Sequence, residues 1–157
     1  MVEKILLENS IDLNAKDSDP QTKTKNQTFL YAACRGPKCH PVVVDLLLRN
    51  RASTKVPSGT PQSLPVHALV ANFVDSANQA DPAKFIPMQM FDEYFVRVSE
   101  IVKVLKSFHA DFESANKFGQ SPLSELESEP SHAPARLHKR YEEFRILITD
   151  SSAKKLA

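Results

Sequence analysis

The sequence predicts an all-α chain assembled from repeated helix pairs, and three observations predict it. First, an apolar stripe at helical spacing followed by a turn occurs three times, over residues 2–14, 43–55 and 101–113. Second, aligned without gaps, the copies superimpose Ile5-Leu6-Leu7, Leu46-Leu47-Leu48 and Val104-Leu105-Lys106, then Ser10-Ile11-Asp12, Arg51-Ala52-Ser53 and His109-Ala110-Asp111. Third, two long segments carry one-sided apolar faces. Phe91, Tyr94, Phe95, Val98, Ile101, Val102, Leu105 and Phe108 mark a helix of roughly five turns, and Leu137, Tyr141, Phe144 and Leu147 mark another.

In chain order these patterns predict a helix over 2–9, an extended turn, and a helix pair over about 28–35 and 41–50. A finger turn follows, then a pair whose second helix is long, then a final pair. Leu123 and Leu126 lie on the first helix of that last pair. Pro134 suits the first turn of the second, where its missing N–H costs nothing. The tail 151–157 reads as solvated and flexible.

The 157 residues fit one domain of about 150 residues. They are 41% hydrophobic and 25% charged, which is ordinary for a globular protein, and no apolar run approaches the roughly 18 residues that cross a bilayer. The net charge of +1 supplies no global field toward nucleic acid or anionic lipid. Three glycines, Gly36, Gly59 and Gly119, are too dispersed to cradle a phosphate. The N-terminal segment has acidic residues within its apolar stretch and does not read as a secretory signal, so a cytoplasmic or nuclear location is the expectation. Cys34 and Cys39 are expected as reduced thiols.

The turns carry a family resemblance. Ser10-Ile11-Asp12-Leu13-Asn14-Ala15-Lys16-Asp17 resembles the ankyrin-repeat turn, as does Ala110-Asp111-Phe112 running on to Gly119-Gln120-Ser121-Pro122-Leu123, where Ser-Pro-Leu stands for the T-P-L of T-P-L-H-x-A. Thr28-Phe29-Leu30-Tyr31 lacks the proline, and Pro65-Val66-His67 lacks the threonine. The resemblance implies an all-α solenoid: an ankyrin-like array of antiparallel helix pairs joined by short β-hairpin fingers. It also implies a structural His67 that ties one turn to its neighbour. The family period of about 33 residues is exceeded, which places six extra residues in 18–27 and a larger insertion, with a lengthened helix, in 70–97. A repeat cannot bury its apolar face alone, so Ile5 and Leu6 expect a neighbour and the chain reads as the C-terminal part of a longer array.

Candidate chemistry is sparse. Cys34, Cys39 and His40 lack a fourth ligand and a paired knuckle for zinc, and neither metal nor cofactor is expected. Ser63 near His67 has no glycine-flanked elbow. Glu125, Glu127 and Glu129, and Glu142 with Glu143, read as solvated faces. The cluster His138-Lys139-Arg140 is offset by the two glutamates that follow Tyr141. The expectation is therefore a non-enzymatic, monomeric scaffold or adaptor that binds another protein on its concave and finger surface, without nucleic acid or membrane. The rival reading is a small hydrolase fragment using carboxylate or Ser/His acid-base chemistry. The partner-contact candidates are Lys16, Asp17, Lys55, Lys117 and Phe118 at finger tips. Phe85, Ile86 and Met88 join them from an apolar group beside Pro82 and Pro87 in the insertion.

Overall fold

The computed structural model describes residues 11–59, 62–80, 87–127 and 135–150. They form helices α1 (Phe29–Arg35), α2 (Pro41–Arg49), α3 (Pro65–Gln79), α4 (Met88–Ser107), α5 (Pro122–Leu126) and α6 (Ala135–Thr149). The helix expected over 2–9, Pro134 and the tail 151–157 lie outside the described residues. Prolines open α2, α3 and α5, where the first N–H has no helical partner to lose. Side chains accept the next orphan N–H groups: Thr28 from Tyr31, His40 from Val42, and Ser121 from Ser124.

The helices pack as two layers. Each helix contacts its pair-mate (α1 with α2, α3 with α4, α5 with α6) and its counterpart in the neighbouring pair (α1 with α3, α3 with α5, α2 with α4, α4 with α6). Leu30, Val44, Leu47, Val66, Leu69, Phe73, Val98, Ile101 and Leu105 fill the space between them. Toward the chain's end the core turns aromatic. Phe73 stacks on Phe144 at 4.2 Å between centroids and meets Tyr141 edge-on at 5.1 Å.

Charged groups fasten α4 to α6 from outside. Asp92 receives Arg136 and Arg140, and Arg140 lies 4.7 Å over the Phe95 ring while also holding Glu143 at 2.6 Å. Lys106 donates to the carbonyls of Leu147 and Asp150, so a cation closes the C-terminal end of α6.

The finger turns repeat one geometry three times. Asp12, Ser53 and Asp111 each accept, through the side chain, the N–H two residues ahead. The N–H groups of Asp17, Ser58 and Asn116 then close the fingers on the carbonyls of Gln27, Ser63 and Gln120. Asn26, Gln62 and Gly119, each three residues before its helix, have φ of 62°, 59° and 77°. At the helix exits Arg51 and His109 take φ of 71° and 57°, and the following N–H groups of Ala52 and Ala110 reach back to Leu47 and Leu105. These are the positions that the gapless alignment matches.

One expectation needs correction. Among the described residues no strand forms: the expected β-hairpins are turns, with one isolated antiparallel bridge between Ser58 and Ser63. Each arm is spent on side-chain-closed turns, leaving too few extended residues for a ladder. The lengthened helix expected in 70–97 is present, and helix covers most of that stretch. Residues 70–79 complete α3 and 88–97 begin α4, because the added turns bury Phe73, Ala77, Phe91 and Tyr94.

Candidate functional site

The row of fingers is the surface on which most of the sequence-derived contact residues fall. Its parts are tied to one another. Asn14 donates to the Arg51 carbonyl at 3.3 Å and accepts from the Ser53 N–H at 2.7 Å. The Gly59 N–H donates to Asn26, and the Thr28 N–H to the Ser58 hydroxyl. Tyr31 lies beneath Gly59, where a Cβ would stand 3.1 Å from the phenol oxygen, and the φ of 67° already favours glycine.

His67 links the second and third fingers. The Leu64 N–H donates to its Nδ1 at 3.3 Å, which leaves the proton on Nε2 to donate to the Gln120 carbonyl at 3.1 Å. Burial holds its pKa below the ordinary histidine value. With both ring nitrogens engaged by backbone, His67 has no free nitrogen to offer Ser63. The connection from one turn to the next is the one the resemblance implied.

The third finger is rigid at its base and bare at its tip. Asn116 is buried, and its Oδ1 accepts from the N–H groups of Phe118 at 2.9 Å and Gln120 at 3.1 Å, while its amide reaches Glu125 at 3.4 Å. Phe118 projects from that support with 68% of its surface exposed. It does not fold back on the neighbouring finger. Lys16, Lys55 and Lys117 are exposed, and none of them forms an ion pair among the described residues.

Other candidates stand differently. Asp17 is not a free tip charge: its carboxylate accepts from the Asp19 N–H, from Thr24 at 2.6 Å and from Thr22, and these bonds depress its pKa. Met88 packs half-buried against the core rather than facing solvent, because it opens α4 and shares that helix's inward face. Phe85 and Ile86 lie outside the described residues. Phe91, from the same apolar group, is fully buried, whereas Met90 is exposed.

Glu125 departs from the solvated reading. It is half-buried beside Asn116, and burial raises its carboxyl to about 7, with Arg35 pulling the other way. Its i+4 spacing from Ser121 turns it inward at the base of the third finger, a placement that the run of alternating acids gave no hint of. Glu142 and Glu143 pair with Arg145 and Arg140 along α6, so the basic cluster there serves helix packing. Cys34 and Cys39 are both free and buried, and burial raises both thiols. Cys39 is covered where Asn72 binds the carbonyls of Cys34 and Gly36 and ties that loop to α3. The His40 ring is spent on capping α2. Among the described residues no helix is long and apolar enough to cross a membrane.

Comparison of the chain with protein-family models, with curated proteins and with solved structures found no match.

Proposed function

We propose that this chain is a non-enzymatic protein-interaction module: an ankyrin-like solenoid of helix pairs that captures a protein partner on its finger surface. The two-layer helix packing and the threefold recurrence of one turn geometry support the solenoid reading. The observation that carries the functional reading is Phe118. A large aromatic side chain 68% exposed on a tip braced by Asn116 is an anchor held ready at little entropic cost. Lys16, Lys55 and Lys117 surround this surface with cationic charge, while Asp17, Asp12 and Asp111 are turned into their own turns. The partner surface that fits is therefore acidic around an apolar pocket.

Phe118→Ala tests the reading, with partner capture from extract and thermal midpoint measured together. Loss of a specific captured protein at an unchanged midpoint is the expected result. Unchanged capture with a lowered midpoint makes Phe118 a packing residue and rejects the anchor.

A further inference from the structure

The bonds that His67 makes at the joint of two fingers admit only the neutral ring. His67 stands in the first turn of α3 and is 1% exposed. Its Nδ1 is an acceptor, because the Leu64 N–H donates to it at 3.3 Å, and its Nε2 is a donor to the Gln120 carbonyl at 3.1 Å. Leu64 follows the arm of the second finger, which Ser58 and Ser63 close, whereas the Gln120 carbonyl closes the third finger on the Asn116 N–H. One imidazole therefore holds both fingers, each by a different nitrogen and with opposite polarity.

A second proton on the ring has one place to go, Nδ1. There it sets two N–H donors face to face, and the bond to Leu64 is lost. The bond to Gln120 keeps its donor and becomes charge-assisted. The surroundings are unequal in the same sense. Burial holds the pKa of the ring below the ordinary histidine value, against the Gln120 and Ser114 carbonyls and the Asp111 carboxylate of the third finger, which favour the charged form. On the other side lies the N-terminal end of the 15-residue helix α3, whose orphan N–H groups disfavour a cation. Of the elements packed against α3, α1 and α5 bring Arg35 and Glu125, of opposite charge, and α4 ends in Lys106, which is held by carbonyls of α6 and the residue after it, and an exposed His109.

We propose that His67 makes the junction between the second and third fingers acid-sensitive: the protonated ring releases Leu64 and stays with Gln120, which uncouples one finger from the other. Lys55 stands on the second finger, and Lys117 and Phe118 stand on the third. For a partner that engages both, a consequence that rests on the binding surface proposed above, acidification parts the two halves of its site and weakens capture.

The joint is tested without a partner, so its failure is distinct from a failure of Phe118→Ala. The isotope-labelled protein is titrated from about pH 7.5 to about pH 5, and NMR follows the ring nitrogens of His67, the Leu64 amide and the Gln120 carbonyl carbon. The Leu64 amide is expected to titrate with the midpoint of the ring and to lose hydrogen-exchange protection roughly fivefold to tenfold after correction for the intrinsic rate. The Gln120 carbonyl carbon moves downfield at the same midpoint, as its bond strengthens. His67→Gln offers an acceptor and a donor but does not titrate, and its Leu64 amide should not respond to pH. Glu125→Gln leaves the Leu64 titration in place, which separates it from the carboxyl that titrates near 7. A ring still neutral at the acid end, a Leu64 amide that ignores the ring, an upfield shift of the Gln120 carbonyl, or a Leu64 titration that persists in folded His67→Gln overturns the proposal. Global unfolding within the range, seen by circular dichroism, overturns it as well, because the joint would not then open by itself. Should His67→Gln fail to fold, the readouts on the unchanged protein decide.

Discussion

The first and third fingers are built on the same base and carry different tips. Both open on an aspartate that accepts the N–H two residues ahead, and both close between equivalent backbone groups. Between the closing residues the first finger holds nine residues, 18–26, and the third holds three, 117–119. The residue at the closing position absorbs the difference. In the third finger it is Asn116, whose single carbonyl oxygen gathers two N–H groups of a tight tip. In the first it is Asp17, whose two carboxylate oxygens reach Asp19, Thr22 and Thr24 across a long one. Finger length is thus a local property, set by what one side chain can hold together, and the helical base does not change with it. Loop closure entropy grows slowly enough to allow this. The short tip presents an aromatic, whereas the long one spends its polar groups on itself.

The comparison breaks most severely if the shared base is removed. Leu47, at 9% exposed, lies in the core between the layers and accepts the N–H that ends the turn into the second finger. Leu47→Ala is expected to cost about 2–5 kcal/mol through lost burial and a cavity, read as a lowered denaturant midpoint. A change below about 0.5 kcal/mol, the range of surface substitutions, places Leu47 outside the working core.

The closing residues give the next effect and test the comparison directly. Asn116→Ala removes the part-buried acceptor of the Phe118 and Gln120 N–H groups and should cost about 1 kcal/mol or somewhat more. Asp17→Ala removes exposed bonds that water replaces, and should lower the midpoint less than Asn116→Ala does. Equal losses in thermal or urea unfolding would mean that the two tips are not differently supported.

A smaller gain is expected at the helix exits. His109 and Arg51 hold left-handed backbone in a motif whose usual occupant is glycine. His109→Gly relieves a penalty of roughly 1–2 kcal/mol for that conformation, less the added freedom of the unfolded chain, so a net gain under about 1 kcal/mol is the outcome to look for. A loss instead would show that the imidazole makes contacts worth more than the backbone strain.

The slightest effect concerns pH, because Glu125 retains enough solvent contact to be screened. Its pKa is raised on folding, so its ionisation opposes folding above about 7 and the opposition fades as pH falls toward the unfolded value near 4.5. Glu125→Gln should therefore melt at a higher temperature than the wild type at pH 8, with the gap narrowing between pH 7 and 4.5. His67 works in the opposite direction: its lowered pKa means that its contribution is present above 6.5 and is lost on acidification below it. A gap that does not change with pH removes Glu125 ionisation from the account.

The sequence by itself determined the periodic layout. Apolar spacing located α2, α4 and α6, and the gapless alignment placed Arg51 with His109 and Ser53 with Asp111, pairs that share backbone conformation or turn chemistry. It also located the six extra residues of the first finger, because local hydrogen bonding and helical periodicity are written in neighbouring residues. Tertiary structure decided what depended on distant partners. The helical extension over 70–79 packs because Phe73 meets Phe91, Tyr141 and Phe144. Met88 packed half-buried against the core, Asp17 was captured by threonines five and seven residues on, and Glu125 came to lie half-buried beside Asn116. Each outcome depends on which side chains meet across the stack, and a stripe of apolar residues states only that a face is buried, not what it is buried against.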